Sequence, residues 1–154
     1  MTTKELLIVS AGRLFAEKGY DAVSTRMIAE EADVKLSLIH YHFGSKENLY
    51  LTVFRLAQQS ERGTTFKKVI DENPALMKSP EGQAEIIRST IFRRFYDYFR
   101  KDRPQWETQL IIREIIAPSS IRENIVFQVF KPDHDAAVAF YRHVKKDAKL
   151  KDAE

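Results

Sequence analysis

Between Val34 and Lys46 the chain runs Val34-Lys35-Leu36-Ser37-Leu38-Ile39-His40-Tyr41-His42-Phe43-Gly44-Ser45-Lys46, and no acid interrupts it. Two lysines, two histidines, a tyrosine and two serines place hydrogen-bond donors along it that can reach phosphate oxygens or base edges. A helix that reads a DNA groove has this makeup. Immediately before it, Ser24-Thr25-Arg26-Met27-Ile28-Ala29-Glu30-Glu31-Ala32 reads as a short amphipathic helix capped by Ser24 or Thr25, with Asp33-Val34 as the break after it. Two short helices joined this tightly form a helix-turn-helix.

Charge in this region is placed rather than abundant. Residues 1 to 50 hold six Lys/Arg (4, 13, 18, 26, 35, 46) against seven Asp/Glu (5, 17, 21, 30, 31, 33, 47), a net of −1, although the whole chain is +3 with a pI near 9.1. The acids sit on the flanking helices and only positive charge lies between Val34 and Lys46, so a local field is available to steer a phosphate backbone.

Around the motif the periodicity predicts helices throughout and no strand. Thr2-Thr3-Lys4-Glu5 offers a capping box; Leu7, Ile8, Ala11, Leu14 and Phe15 follow at helical spacing, and Gly19 ends the run. Tyr20 and Ile28 are expected to close a small core beneath the motif. Ser45 caps a longer helix with Leu49, Val53, Phe54 and Leu56 on its buried side. After weak signals from Ser60 to Ser79, Ser79-Pro80 opens a long helix whose Ile86, Ile87, Ile91, Phe92, Phe95, Tyr96 and Phe99 form a broad apolar stripe, expected to be mostly buried. Pro104 precedes a helix from Trp106 to Ile116. Ser120-Ile121-Arg122-Glu123 reads as a capping box for a helix to about Phe130, Lys131-Pro132-Asp133 as a break, and Ala137, Phe140, Tyr141 and Val144 as marking the last helix.

With these residues in view, positions 8 to 50 resemble the N-terminal DNA-binding domain of TetR-family transcriptional regulators. The likeness is carried by Ile8, Ala11, Leu14-Phe15, Gly19-Tyr20, Thr25-Arg26, Ile28-Ala29, Val34, Tyr41-His42-Phe43 and Ser45-Lys46-Glu47 with Leu49. It implies an all-α chain, with a three-helix helix-turn-helix domain over 1–46 and a helical ligand-binding and dimerisation domain over 47–154. Relatives of this kind run several dozen residues further and pair through their last two long helices. The second domain is therefore expected to be C-terminally incomplete, or its pairing to be built differently. The run Ile111–Ser119 also resembles a segment of one branch of the family.

The resemblance implies DNA contacts from Thr25, Arg26, Lys35, Ser37, Leu38, His40, Tyr41, His42 and Lys46. Tyr41 and His42 are expected at phosphates, as are Thr25 and Arg26, because free backbone N–H groups at a helix start favour an anion. Leu38 is either a thymine-methyl contact or a core leucine. The chain departs from the family pattern at His40, where tyrosine is commoner, at Lys35 for serine, and at Ser37 and Asp33 for glycine. Sequence preference is what these departures alter. Asp tolerates the left-handed conformation such a turn needs, at some cost.

Other chemistries fit less well. His40 and His42, two apart, point to different sides of a helix with no cysteine or carboxylate beside them, so no metal site is expected. Glu107, Arg113 and Glu114 lack a His, Ser or metal partner at a useful offset; no catalytic residue and no cofactor are expected. The chain has no cysteine, which fits a reducing compartment, and no apolar run approaches the roughly 20 residues of a membrane span. Phe92, Phe95, Tyr96, Phe99, Trp106, Gln109 and Arg113 bring aromatics and a few polar groups onto two adjacent helices, the makeup of a small-molecule pocket, although an aromatic stripe is also plain core. The reading is a cytoplasmic one-component regulator, a repressor that binds a palindromic operator in duplex DNA as a homodimer and is released by a small-molecule effector. The competing reading is a helical small-molecule-binding or interaction protein whose head no longer binds a specific operator.

Overall fold

The structure is a computed structural model that describes residues 1–59, 66–99 and 103–151. Its elements are α1 (Thr3–Lys18), α2 (Thr25–Glu31), α3 (Ser37–Phe43), α4 (Lys46–Gln59), α5 (Phe66–Glu72), a 3-10 turn (Pro74–Lys78), α6 (Pro80–Phe99), α7 (Gln105–Ile116), α8 (Arg122–Ile125), a π turn (Val126–Phe130) and α9 (Lys131–Lys151). Among the described residues there is no strand. Packing divides the chain into two units, the described residues of Met1–Glu61 with Lys101–Val129, and those of Arg62–Arg100 with Phe130–Glu154.

The first unit is built on α1. Thr2 Oγ1 accepts from the Glu5 amide at 3.3 Å and the Glu5 carboxylate accepts from the Thr2 amide at 2.8 Å, which closes the expected capping box. Gly19, at φ 84°, ends the helix in a conformation that disfavours side chains. Leu7, Ala11, Leu14 and Phe15 lie on its buried side. α4 lays Leu49, Tyr50, Val53, Phe54 and Ala57 against them, and the rings of Phe15 and Tyr50 meet edge to face at 4.7 Å. Leu56, expected on that face, is exposed, because the inward stripe runs through Tyr50 and Ala57 instead. From far along the chain α7 adds Trp106, Leu110 and Ile111 to the same core, and Ile125 and Val129 complete it. Gly12 permits the approach of α7: a Cβ there would stand 2.5 Å from the Trp106 ring.

The second unit has a smaller core of Val69, Ile86 and Phe140, with Phe66, Ile70, Leu76, Met77 and Val144 packed around it. Ser79 caps α6 as expected, accepting from the Gly82 amide at 3.1 Å. Polar contacts do much of the joining: Asp133 accepts from the Phe66 amide at 2.8 Å and from Arg94, and Glu72 pairs with Arg93 at 2.8 Å. The aromatic stripe of α6 is not buried. Gln83, Ile86, Thr90 and Asp97 form the inward face, and Ile91, Phe92, Phe95, Tyr96 and Phe99 stand on the opposite side of the helix, exposed. Hydrophobicity marked a stripe correctly, but the neighbours α5 and the 3-10 turn take the other face.

Two helix signals resolve differently from expectation. Ser120 does not cap α8; its amide and hydroxyl go to Asp21, and α8 starts at Arg122, after Ile121, without a side-chain cap. The break expected at Lys131-Pro132-Asp133 is absent, since α9 starts at Lys131. The π turn over Val126–Phe130 runs directly into α9, so Pro132 is the second residue of that element, where its missing N–H is tolerated.

Candidate nucleic-acid interface

The two motif helices are seven residues each, too short to persist alone, so their geometry is set by caps and by the core beneath. Ser24 Oγ accepts from the Met27 amide at 3.2 Å and starts α2. Ile28 and Ala29 bury its inner side. The turn after it is closed by the Val34 amide donating to the Ala29 carbonyl at 3.0 Å, with Asp33 at φ 51°. A non-glycine residue in the left-handed region is the cost the sequence anticipated at this position. α3 is fixed to the core by Ile39 and Phe43, one turn apart, and Gly44 at φ 75° releases the chain into α4, whose first turn Ser45 caps by accepting from the Asn48 amide at 3.1 Å.

With Ile39 and Phe43 inward, Ser37, His40 and Tyr41 share the outward face of α3, preceded by exposed Lys35. Tyr41 is 81% exposed, with its ring edge-to-face against His42 at 4.9 Å. His42 and Leu38 are half-buried; Leu38 packs against the core at its edge. The His40 ring nitrogen Nδ1 lies 3.1 Å from the Gly44 carbonyl, and with the proton on Nδ1 that contact leaves Nε2 as an acceptor. On α2, Thr25 is half-buried and Arg26 exposed. Arg26 pairs with Glu30 at 2.9 Å, but both side chains are well solvated, so a phosphate can take Arg26 from Glu30 at small cost.

Lys46 sits differently from the other eight. Its ammonium donates to the Tyr20 carbonyl at 3.0 Å and the Val23 carbonyl at 2.9 Å, and lies 4.1 Å over the Tyr20 ring. Two of its three N–H groups thus brace the turn that leads into α2.

The seven residues read as a pocket are divided between the two units. Phe92, Phe95, Tyr96 and Phe99 are exposed on α6 in the second unit, where the Phe95 and Phe99 rings lie 4.5 Å apart. Trp106, Gln109 and Arg113 are on α7 in the first unit. There Trp106 is core, Gln109 faces out, and Arg113 donates to the Ala16 carbonyl at 2.9 Å and the Glu17 carbonyl at 2.5 Å, closing the end of α1.

One group of functional interest was set aside as chemistry in the sequence. Glu114 is 8% exposed and accepts from Tyr50 Oη at 2.8 Å, from the Ser119 amide at 3.0 Å and from the Ser119 hydroxyl at 2.9 Å. Burial first, then the Glu114 hydrogen bond and charge, push the Tyr50 phenol well above its ordinary range. The signal was a carboxylate on the same face as Leu110 and Ile111, in a run whose other members are four isoleucines and Arg113. Among the described residues no group of three or more His, Asp or Glu is placed to hold a metal ion, and no helix is long and apolar enough to cross a membrane.

Residues 7–53 match the family described as bacterial regulatory proteins, tetR family, and residues 84–149 match the C-terminal domain of the HTH-type transcriptional dual regulator CecR. CecR of Shigella flexneri is 31% identical over 134 residues, covering 85% of this chain and 59% of its own. The HTH-type transcriptional repressor AcnR of Corynebacterium glutamicum is 32% identical over 89 residues, 58% of this chain and 40% of its own. The chain thus spans less than two thirds of the length of either relative. Among solved structures, the hemolysin II transcriptional regulator HlyIIR aligns with a TM-score of 0.50 at 25% identity, over 95% of this chain and 74% of its own. The multidrug binding protein EbrR, solved in complex with malachite green, shares the fold with a TM-score of 0.54 at 23% identity, over 94% and 83%.

Proposed function

The chain belongs to the TetR family of transcriptional regulators, with an N-terminal helix-turn-helix and a CecR-like C-terminal domain, and we propose that it is a cytoplasmic one-component repressor. In this reading residues 1–46 bind a palindromic operator as a homodimer, and residues 47–154 carry the effector and pairing functions. One observation carries it: Lys35, Ser37, His40 and Tyr41 stand together on the outer side of a helix whose inner side is anchored by Ile39 and Phe43. Tyr41, 81% exposed beside cationic and hydroxyl donors and touching the His42 ring at its edge, presents its hydroxyl outward, where a phosphate backbone can accept from it. Ser37 and His40 are assigned to base edges, Tyr41, His42, Thr25 and Arg26 to the backbone, and Lys46 to the backbone through its remaining N–H group.

Repression is proposed over activation; AcnR is named as a repressor and CecR as a dual regulator. A small amphipathic effector is proposed for the helical body, with the exposed aromatics of α6 as the apolar surface that draws it. Its occupancy is relayed to the head through α4. Two heads on one operator require recognition helices about 34 Å apart.

Selection from a random duplex pool, repeated at several salt concentrations, tests the reading. An enriched palindrome, bound with an affinity that falls steeply with salt, is the expected result. A pool that returns no enriched sequence while random duplex is still retarded would leave a head without an operator and end the regulator assignment. The effector is tested by reciprocity: operator must weaken effector binding by the same factor as effector weakens operator binding.

A further inference from the structure

The turn from Gly19 to Val23 leads into α2, and most of what holds it comes from elsewhere in the first unit. Lys46 binds its Tyr20 and Val23 carbonyls from the start of α4. From the other side, Asp21 accepts from the amide of Ser120 at 3.2 Å and from its hydroxyl, across 99 positions of sequence. Those bonds draw the Asp21 carboxyl below its ordinary range. The loop that presents Ser120 is itself tied down, because Ser119 donates twice to Glu114, and Glu114 also takes the Tyr50 hydroxyl of α4. Tyr50 in turn meets the Tyr20 ring edge to face at 5.0 Å. Further along, Asn124 donates to Glu47 at 2.6 Å and Arg55 to Gln128 at 2.8 Å.

Apolar packing alone lets a helix slide or tilt slightly at little cost, since it is not directional. Hydrogen bonds fix distance and angle. The directional contacts between the α7–α8 segment and the head fall on the end of α1, on the entrance of the helix-turn-helix and along α4. We propose that Asp21–Ser120 and Glu114–Ser119/Tyr50 form a clasp that sets the orientation of α2 and α3 relative to α4, so that Asp21, Ser120 and Glu114 are positioning residues for operator recognition although none lies on α2 or α3. Through Asp21 the clasp also gives the α7–α8 loop a contact with the head that does not pass through α4. The operator part of this inference rests on the regulator reading above; the ordering of α2 and α3 does not.

The test uses the full chain with Asp21→Ala, Ser120→Ala, Ser120→Thr and Glu114→Gln, and two measurements. One is affinity for the selected operator and for random duplex of equal length. The other is hydrogen exchange of the amides of residues 19–34 in the free protein. A clasp predicts that Asp21→Ala and Ser120→Ala lose about tenfold in operator affinity, as expected for removing a hydrogen bond to a charged group, while random-duplex affinity stays within about twofold. Exchange over 19–34 accelerates, exchange in α1 does not, and Ser120→Thr, which keeps the hydroxyl, restores both. Glu114→Gln should act in the same direction; should it fold poorly, the two surface substitutions decide alone. Unchanged selectivity and unchanged exchange in Asp21→Ala and Ser120→Ala overturn the clasp and leave the regulator reading standing. Exchange that accelerates equally in α1 and in 19–34 also overturns it, since that is general destabilisation. A wild-type protein with no preferred duplex but with the local acceleration removes the regulator reading and keeps the clasp as the device that orders α2 and α3.

Discussion

Replacing Tyr50 by Phe removes one oxygen from the middle of the first unit and nothing else. The phenol is 1% exposed and donates to Glu114, itself buried and also accepting from the Ser119 amide and hydroxyl. A hydrogen bond to a charged group contributes about 1.5–3 kcal/mol, so near pH 8 Tyr50→Phe should cost about 2 kcal/mol. Raising the pH makes the loss disappear. Burial and the Glu114 carboxylate hold the folded Tyr50 phenol far above its ordinary 10.0, opposed weakly by Arg113. The folded state therefore keeps its proton where the unfolded chain has lost it, and the stability linked to this group is complete below pH 10 and falls as pH rises above it. At pH 11.5 the unfolded tyrosinate has gained about 2 kcal/mol over the phenol, the product of 1.5 pH units and about 1.4 kcal/mol per unit. Phenylalanine has no proton to lose, so wild type and variant should converge there. Urea titrations of both proteins at pH 8, 10 and 11.5, followed by Trp106 fluorescence, measure the difference with the other titrating groups cancelled. Two curves that stay parallel from pH 8 to 11.5 would refute the buried-phenol argument.

Tyr41→Ala should leave the urea midpoint within about 0.5 kcal/mol of wild type, as for an exposed residue, and weaken binding to every duplex in a retardation assay. Asp33→Gly relieves a non-glycine residue at φ 51° and, net of the added freedom of the unfolded chain, should raise stability by about 1 kcal/mol in the same urea assay; an unchanged or lowered midpoint would contradict strain at this turn. Phe140→Asp puts a carboxylate beside Val69 and Ile86 and should disrupt the second unit, whereas Tyr141→Asp, on an exposed side chain of α9, should change only association. Sedimentation across a concentration series paired with circular dichroism separates the two, and loss of helix in Tyr141→Asp would contradict the assignment.

Much of the head was legible because its signals are local. A capping box at Thr2 and Glu5, a glycine at φ 84° and a serine before α2 act within one turn, and each appears where the residue types put it. The face of α3 was legible for the same reason: once Ile39 and Phe43 are inward, the outward positions follow from helix geometry. What sequence reasoning could not reach depends on which neighbour arrives. The α6 stripe is apolar, yet α5 and the 3-10 turn pack on Gln83, Ile86 and Thr90. Ile125, Val129 and Phe140 look like a pairing surface by spacing, but they fill the cores of their own units, leaving Val126, Phe127 and Tyr141 outward. Ser120 offered a capping box three residues from Glu123 and spent its hydroxyl on Asp21 instead. A local partner and a distant one compete for the same atom, and only the fold decides.

The extent of the unit that holds the two motif helices follows from the same competition. Two seven-residue helices hold their shape only through what they rest on, and α3 has no side-chain cap at its start. Their support is α1, α4 and the turn at Gly19–Val23, and these are packed in turn by Trp106, Leu110 and Ile111 and bonded by Arg113, Glu114 and Ser120. A stretch read from its own residues as part of a pocket is thus structural support for the head: Trp106 lies on Gly12, and Arg113 closes the last turn of α1. A displacement of α7 can be absorbed by the Gly12 contact, by the carbonyls of Ala16 and Glu17, by Tyr50 of α4, or by the Asp21 turn. The first three belong to helices of sixteen and fourteen residues that share a full core, and the last is a short turn held by hydrogen bonds. The turn is the softer element, and it is the one that leads into α2.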